Sequence, residues 1–375
     1  MTKPNTPEGY VSYFRPEIDA MQGYTPGEQP KVAGLLKLNT NESPYPPSPG
    51  VKEAFDTFDT DRLRLYPDPM AQELREYIGK MFDLSADCVI AGNGSDDILN
   101  IAIRCFCGPE RPAACLDPSY SLYPTLCGLQ GAECIRIPLN EDFSLPVDLL
   151  DQARRANLLL IARPNAPTGN SCSRTILAEI CRNFQGIVLI DEAYADFASD
   201  NCADFVSRFP NVIVCRTFSK SRDLAGLRFG FALAHPKIIE GLMKMKDSYN
   251  VSMLTQVLAL ASLKDPAFFA DCVAKIRLAR EMLTLGLYDL GFRAVESETN
   301  FVFASPPDGD GKRFFEELRK RNILVRYFPG PVTGKWVRIT VGTTSSVSRV
   351  FLAAREIYRE FGQEVYSLDS GRLIS

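Results

Sequence analysis

Five short apolar runs constrain this chain more than any other feature. Residues 88–91, 113–116, 158–162, 187–190 and 212–215 each form a run of four or five apolar residues, and each run stops at a polar or glycine-rich segment. Runs of that length without alternation fit strands buried on both faces. Helical patterns separate them. The spacing therefore predicts an α/β fold, a mostly parallel sheet flanked by helices. In such sheets functional groups gather where strands end and loops begin.

The segments that follow the runs carry the candidates. After 88–91 comes Gly92-Asn93-Gly94-Ser95-Asp96-Asp97, leading into a helix expected over 98–105. A strand, a glycine turn and a helix N-terminus aim backbone N–H groups at an anion. Asp97 stands where a dinucleotide fingerprint has its third glycine, and no Gly-x-x-x-x-Gly-Lys loop occurs. The second run leads to Tyr120 and Tyr123, the third to Asn165 within Arg163-Pro164-Asn165-Ala166-Pro167-Thr168-Gly169, and the fourth to Asp191-Glu192-Ala193-Tyr194. The fifth ends in Thr217-Phe218-Ser219-Lys220, with Arg228 eight residues further on. Alone, a Ser-Lys pair reads as an ordinary solvated pair. Beside a hydroxyl and a guanidinium, the lysine amine suits a Schiff base with an aldehyde whose phosphate the other two groups hold. Pyridoxal 5'-phosphate (PLP) is such a molecule.

Composition narrows the chemistry by subtraction. The single histidine, His235, excludes metal sites built on several histidines and leaves proton transfer to some other group. The 11 cysteines are scattered, without a Cys-x-x-Cys, and read as small buried hydrophobes in a reducing cytoplasm. The net charge of -4 lacks a long basic run, which disfavours nucleic acid and anionic membrane as partners. Residues 1–8 are polar and contain no apolar signal region, and no stretch reaches membrane-spanning length.

The rest of the chain divides by pattern. Residues 1–45 read as a proline-rich N-terminal arm that packs with the small domain or a dimer partner, and carry Tyr24 and Asn41. Residues 46–265 read as the large domain. Residues 266–375 read as a smaller α+β domain, with helices over 266–290, 312–321 and 345–361 and strands over 299–304, 323–328 and 336–341. Arg326 and Arg338 lie on these strands among apolar residues. A half-buried arginine wants a carboxylate or phosphate, and a structural salt bridge would serve as well as a ligand. Tyr66 precedes Pro67 and is held extended.

Four motifs in order, Asn165-Ala166-Pro167-Thr168-Gly169, Asp191-Glu192-Ala193-Tyr194, Thr217-Phe218-Ser219-Lys220 and Arg338-Ile339-Thr340-Val341-Gly342, resemble those of the fold-type I PLP-dependent enzymes, the aspartate-aminotransferase superfamily. Within it the chain is most similar to the histidinol-phosphate aminotransferase family, over nearly its whole length. The resemblance implies that Lys220 bonds to PLP and shuttles a proton, and that Asp191 pairs with the pyridinium nitrogen. It implies that Asn165 and Tyr194 contact the ring's O3′ and that Tyr120, or Tyr123, stacks on the ring. Ser95, Ser219, Arg228 and the N–H groups near Gly94 would hold the phosphate, Asp96 would be a further cofactor-binding residue, and Tyr66 would reach the phosphate of a neighbouring subunit in a homodimer. Tyr24, Asn41, Arg326 and Arg338 would bind substrate: a phosphorylated amino alcohol in one half-reaction, glutamate or 2-oxoglutarate in the other. Threonine-phosphate decarboxylases and aromatic amino-acid aminotransferases share much of this pattern, and the aromatic run Arg326-Tyr327-Phe328-Pro329 departs from it. A transcription regulator with a similar domain would need an attached DNA-binding domain, for which the arm has no room.

Overall fold

A computed structural model describes residues 12–21, 23–360, 365–366 and 373–374. The polar segment 1–8 and the expected final helical residue Phe361 lie outside the described residues. In chain order the strands are β1 (Leu36–Lys37), β2 (Val89–Gly92), β3 (Ala113–Asp117), β4 (Cys134–Pro138), β5 (Leu158–Ala162), β6 (Ile187–Asp191), β7 (Val212–Thr217) and β8 (Gly230–Ala234). They continue with β9 (Arg293–Ala294), β10 (Phe301–Ser305), β11 (Ile323–Leu324), β12 (Arg326–Tyr327) and β13 (Val337–Thr340).

Seven of these strands form one sheet in the order β2-β8-β7-β6-β5-β3-β4. Only β8 runs against its neighbours. Strands β5, β7 and β8 are buried at every position, and they read as apolar runs, the one in β7 stopping at Cys215 before buried Arg216 and Thr217. Alternate residues feed two cores. Leu159, Ile161, Val188, Val212 and Val214 face one layer of helices, while Leu158, Leu160, Leu189, Ile213 and Cys215 face the other. The period-2 geometry of a strand requires this division.

A second, antiparallel sheet of order β12-β13-β10-β9 has its own core, packed by the helices Pro266–Asp289 and Thr344–Glu360. The single strand expected over 323–328 is two. Residues Ile323–Leu324 pair in parallel with β1 of the arm, and Arg326–Tyr327 pair with β13. Val325, buried between them, marks the change of partner. The helix expected over 98–105 starts earlier, at Ser95, because Gly94 at φ 87° turns the chain directly from β2 into it. His235 caps the next helix, Pro236–Met243, accepting at Nδ1 from the Lys237 N–H at 3.2 Å.

Candidate active site

The strand ends converge on a cavity of about 330 Å³, at the small end of the ~300–1,000 Å³ range of ligand pockets. β6 delivers Asp191 and β7 delivers Ser219 and Lys220. The turn after β2 delivers Ser95 and Asp96, and the loop after β3 delivers Tyr120. The arm contributes Tyr24 and Asn41, and the smaller sheet Arg326 and Arg338. No group of three or more potential metal ligands occurs among the described residues.

One end of the cavity is built for an anion. The 12-residue helix Ser95–Phe106 points its N-terminus inward, with the first-turn N–H groups and the dipole favouring negative charge. Arg228 faces it, donating from Nη1 to Ser219 Oγ and from Nη2 to Asp96 Oδ2, both at 3.2 Å. Arg228 takes a left-handed backbone at φ 57°, which costs a non-glycine residue about 1 kcal/mol and aims the guanidinium at this turn. The approach is close enough that a Cβ on Gly94 would lie 2.6 Å from Arg228 Nη2. Gly230 is equally confined, against the Ser95 N.

Asp191 sits deeper, buried, at the end of β6. Burial pushes its carboxyl up to about 6, against the opposing pull of the Tyr123 hydroxyl, which donates to Oδ2 at 2.7 Å, and of the Ala193 N–H on Oδ1. Tyr123 is fully buried and does not line the cavity, so its hydroxyl serves Asp191. Tyr120 does line it, donating to Asp96 Oδ1 at 3.2 Å, with its ring edge-on to Tyr24 at 6.2 Å.

Three consecutive arm residues hold three site groups. The Asn39 carbonyl accepts from Arg338 Nη2 at 3.0 Å, the Thr40 carbonyl accepts from Lys220 Nζ at 3.1 Å, and Asn41 Nδ2 donates to the Tyr194 hydroxyl at 2.8 Å. Thr340 Oγ1 locks this strap, accepting from the Asn41 N–H and donating to Asn41 Oδ1, each at 3.0 Å. Lys220 Nζ also stands 5.7 Å from the centroid of the Tyr194 ring. Asn41 is thus engaged with the protein through both ends of its amide, a support for Tyr194 with no signal in the sequence.

Arg326 and Arg338 are cross-strand partners on β12 and β13. Neither makes an ion pair among the described residues. Arg338 lies between the rings of Phe301 and Phe328, each 5.2 Å away, and its buried Nε has no hydrogen-bond partner. Desolvation pulls its pKa below the ordinary value and the Arg326 charge adds to this, while Tyr194 opposes it. Glu28 stands near Arg326 but pairs directly with Arg319, so two neighbouring guanidiniums without a direct carboxylate partner open on one cavity and suit an anion from outside.

Two expected residues stand elsewhere. Asn165 is buried and does not line the cavity. Its Nδ2 donates to the Pro118 carbonyl and to Thr168 Oγ1, and its Oδ1 accepts from Ser119 Oγ at 2.7 Å. It would reach a ligand only by giving up one of these bonds. Tyr66 is 77% exposed and away from the cavity, stacked on Tyr249 at 4.4 Å.

Residues 33–354 match the family described as aminotransferase class I and II. A histidinol-phosphate aminotransferase of Microcystis aeruginosa is 46% identical over 89% of this chain and 95% of the relative. Histidinol-phosphate aminotransferase 1 of Trichormus variabilis is 41% identical over 93% of this chain and all of the relative. The crystal structure of histidinol-phosphate aminotransferase from Sinorhizobium meliloti, in complex with pyridoxal-5'-phosphate, superposes with a TM-score of 0.86 over 94% of this chain and 99% of that one, at 23% identity.

Proposed function

Because this chain belongs to the class I and II aminotransferase family, we propose that it is a PLP-dependent enzyme transferring an amino group between glutamate and imidazole acetol phosphate, giving histidinol phosphate and 2-oxoglutarate. The observation that carries the reading is the Arg326–Arg338 pair, which makes no direct ion pair among the described residues and opens on the cavity that holds Lys220. The names of the relatives supply the phosphorylated substrate.

The cavity fits the cofactor. A primary amine, a buried carboxylate and an anion cradle share one enclosed space, and the cradle closes only because Gly94 and Gly230 carry no Cβ. The N–H groups at Ser95, with Ser219 and Arg228, would hold its phosphate, Asp191 would face the ring nitrogen, and Tyr120 would cover the ring. When bound, the cofactor supplies an electron-poor ring that stabilises negative charge at the substrate Cα.

The remaining work belongs to side chains of this protein. Lys220 Nζ takes the proton from the substrate Cα and holds it for return. Asp191 would stay ionised opposite a cationic ring nitrogen, since an adjacent opposite charge offsets the burial that raises its pKa. Tyr194, held by Asn41, keeps its own hydroxyl proton free to donate into the cavity. Arg338 and Arg326 take the phosphate of one substrate and the carboxylates of the other. Asn165 supports the wall that faces the ring and contacts O3′ only after releasing Thr168 or Pro118. On the same footing we divide the chain into an arm (1–45), a large domain (46–265) and a small domain (266–375), supported by the separate cores of the two sheets. We place the protein in the cytoplasm as a homodimer. No described helix is long and apolar enough to cross a membrane.

Absorbance of the PLP-loaded protein tests the reading. L-glutamate is expected to remove the long-wavelength band of the bound cofactor, and imidazole acetol phosphate to restore it. Restoration by other 2-oxo acids but not by that ketone would refute the substrate. Release of CO₂ from O-phosphothreonine, with no 2-oxo acid consumed, would point to the decarboxylase alternative. Absence of the band with excess PLP would refute the role of Lys220.

A further inference from the structure

The aromatic run Arg326-Tyr327-Phe328-Pro329 divides between two surroundings. Alternation along a strand sends neighbouring side chains to opposite sides. Tyr327 stacks on Phe315 of the helix Gly311–Lys320, with ring centroids 6.0 Å apart, and does not line the active-site cavity. Phe328 does line it, beside Arg326 and Arg338. The Arg326 guanidinium carbon stands 5.5 Å from the centroid of the Phe328 ring, and that of Arg338 stands 5.2 Å from it. One ring therefore serves two guanidiniums that oppose each other on paired strands.

Both distances fall inside the ~6 Å within which the face of a ring attracts a cation. Like charges directly opposite on paired strands repel. A carboxylate placed between them would offset that repulsion, but it would also occupy their N–H donors. Arg319 shows this outcome, since Glu28 accepts from its Nη1 at 2.8 Å and from its Nη2 at 2.7 Å. A phenyl ring attracts the charge and carries no oxygen or nitrogen to take the donors. The in-plane N–H groups of both guanidiniums are then left for an anion. Arg338 Nε, buried and without a hydrogen-bond partner, is one donor left over in this way.

We propose that Phe328 is a positioning residue that sets the preference for a phosphorylated substrate, by holding Arg326 and Arg338 together as one doubly charged clamp. The inference rests on the substrate reading above. A phosphate dianion uses both guanidiniums at once, each offering its planar fork to the oxygens. An amine without the phosphate engages neither charge and gains nothing from their alignment. The ring therefore acts on the difference between the two substrates, which is what specificity measures. Phe301 has a different place: it meets Arg338 at 5.2 Å but is fully buried in the core of the smaller sheet.

The test replaces Phe328, in the full-length PLP-loaded protein, with phenylalanine analogues carrying one, two and three ring fluorines. Fluorine withdraws charge from the ring face and nearly preserves its shape, so folding is maintained. The kcat/KM is measured for histidinol phosphate and for the same amino alcohol without its phosphate, with 2-oxoglutarate as acceptor. The value for the phosphorylated amine is expected to fall stepwise, to roughly a tenfold loss at three fluorines, through KM and not kcat, while the other amine changes by less than about twofold. Phe328→Leu is expected to give that loss in one step, and Phe328→Tyr, which keeps a ring face, to retain the wild-type preference. A role in packing alone would lower both amines together in Phe328→Leu and leave the fluorinated series flat, and either result overturns the proposal. Wild-type indifference to the phosphate would overturn the substrate reading, and this inference with it. A wild-type preference that fluorination does not move would overturn the inference alone.

Discussion

Asp191 illustrates how a single residue can work against the fold that holds it. Burial lifts its pKa to about 6, while an unfolded aspartate titrates near ~3.9. Between those values the folded chain binds more protons than the unfolded one. The contribution of this group to stability is therefore fully present below the unfolded pKa and is lost as pH rises through 6. Above that pH the bare carboxylate destabilises the cofactor-free fold by up to about 3 kcal/mol. Asp191→Asn retains an acceptor for Tyr123 and removes the charge. Cofactor-free Asp191→Asn is expected to melt above cofactor-free wild type at pH 8, with the gap closing towards pH 4. A gap independent of pH in thermal scans would refute this origin. Asp191, Lys220 and Arg228 were legible in the sequence because each ends an apolar run or flanks the next. Tyr123 was not legible in its role, since the direction of its hydroxyl depends on how the helix Leu122–Leu129 packs on the sheet. Asn165 was expected at the ring, but it does not line the cavity, and the sequence carries no trace of the three bonds that occupy its amide.

At the scale of elements, the arm strap is the connection that periodicity cannot reveal. β1 has two residues and no alternation to detect, yet it pairs with β11 and places three site groups. The same pairing explains why one expected strand over 323–328 became two, since each half serves a different sheet. The long buried strands were legible for the opposite reason: each carries a continuous apolar run and ends in a polar turn or site residue. Thr340 is the fastening of the strap, and Thr340→Val keeps its shape while removing both of its bonds to buried Asn41. The substitution is expected to destabilise the protein by on the order of 3 kcal/mol, because it strands a buried N–H and a buried carbonyl. Urea denaturation with an unchanged m-value and a lower midpoint would agree with this, and an unchanged midpoint would contradict it.

On the scale of the whole molecule, exposed Tyr66 requires a second chain for its proposed role. If it completes the phosphate site of its neighbour, defects in different chains complement. Lys220→Ala and Tyr66→Phe homodimers are each expected to be impaired, the first by roughly a thousandfold or more as a lost essential nucleophile. A hybrid of the two contains one site with both defects and one with neither. Co-expression with two affinity tags isolates the hybrid, whose expected activity is half that of wild type. Activity no higher than that of the Tyr66→Phe parent would show that the tyrosine acts in its own chain or not at all. The strap has a consequence in time as well. Asn41 and its fastening at Thr340 are 299 residues apart, so during synthesis the arm leaves the ribosome long before its anchor exists. However early the large sheet assembles, the strap that brings the Thr40 carbonyl to the lysine amine is fastened only after nearly the entire chain has been translated.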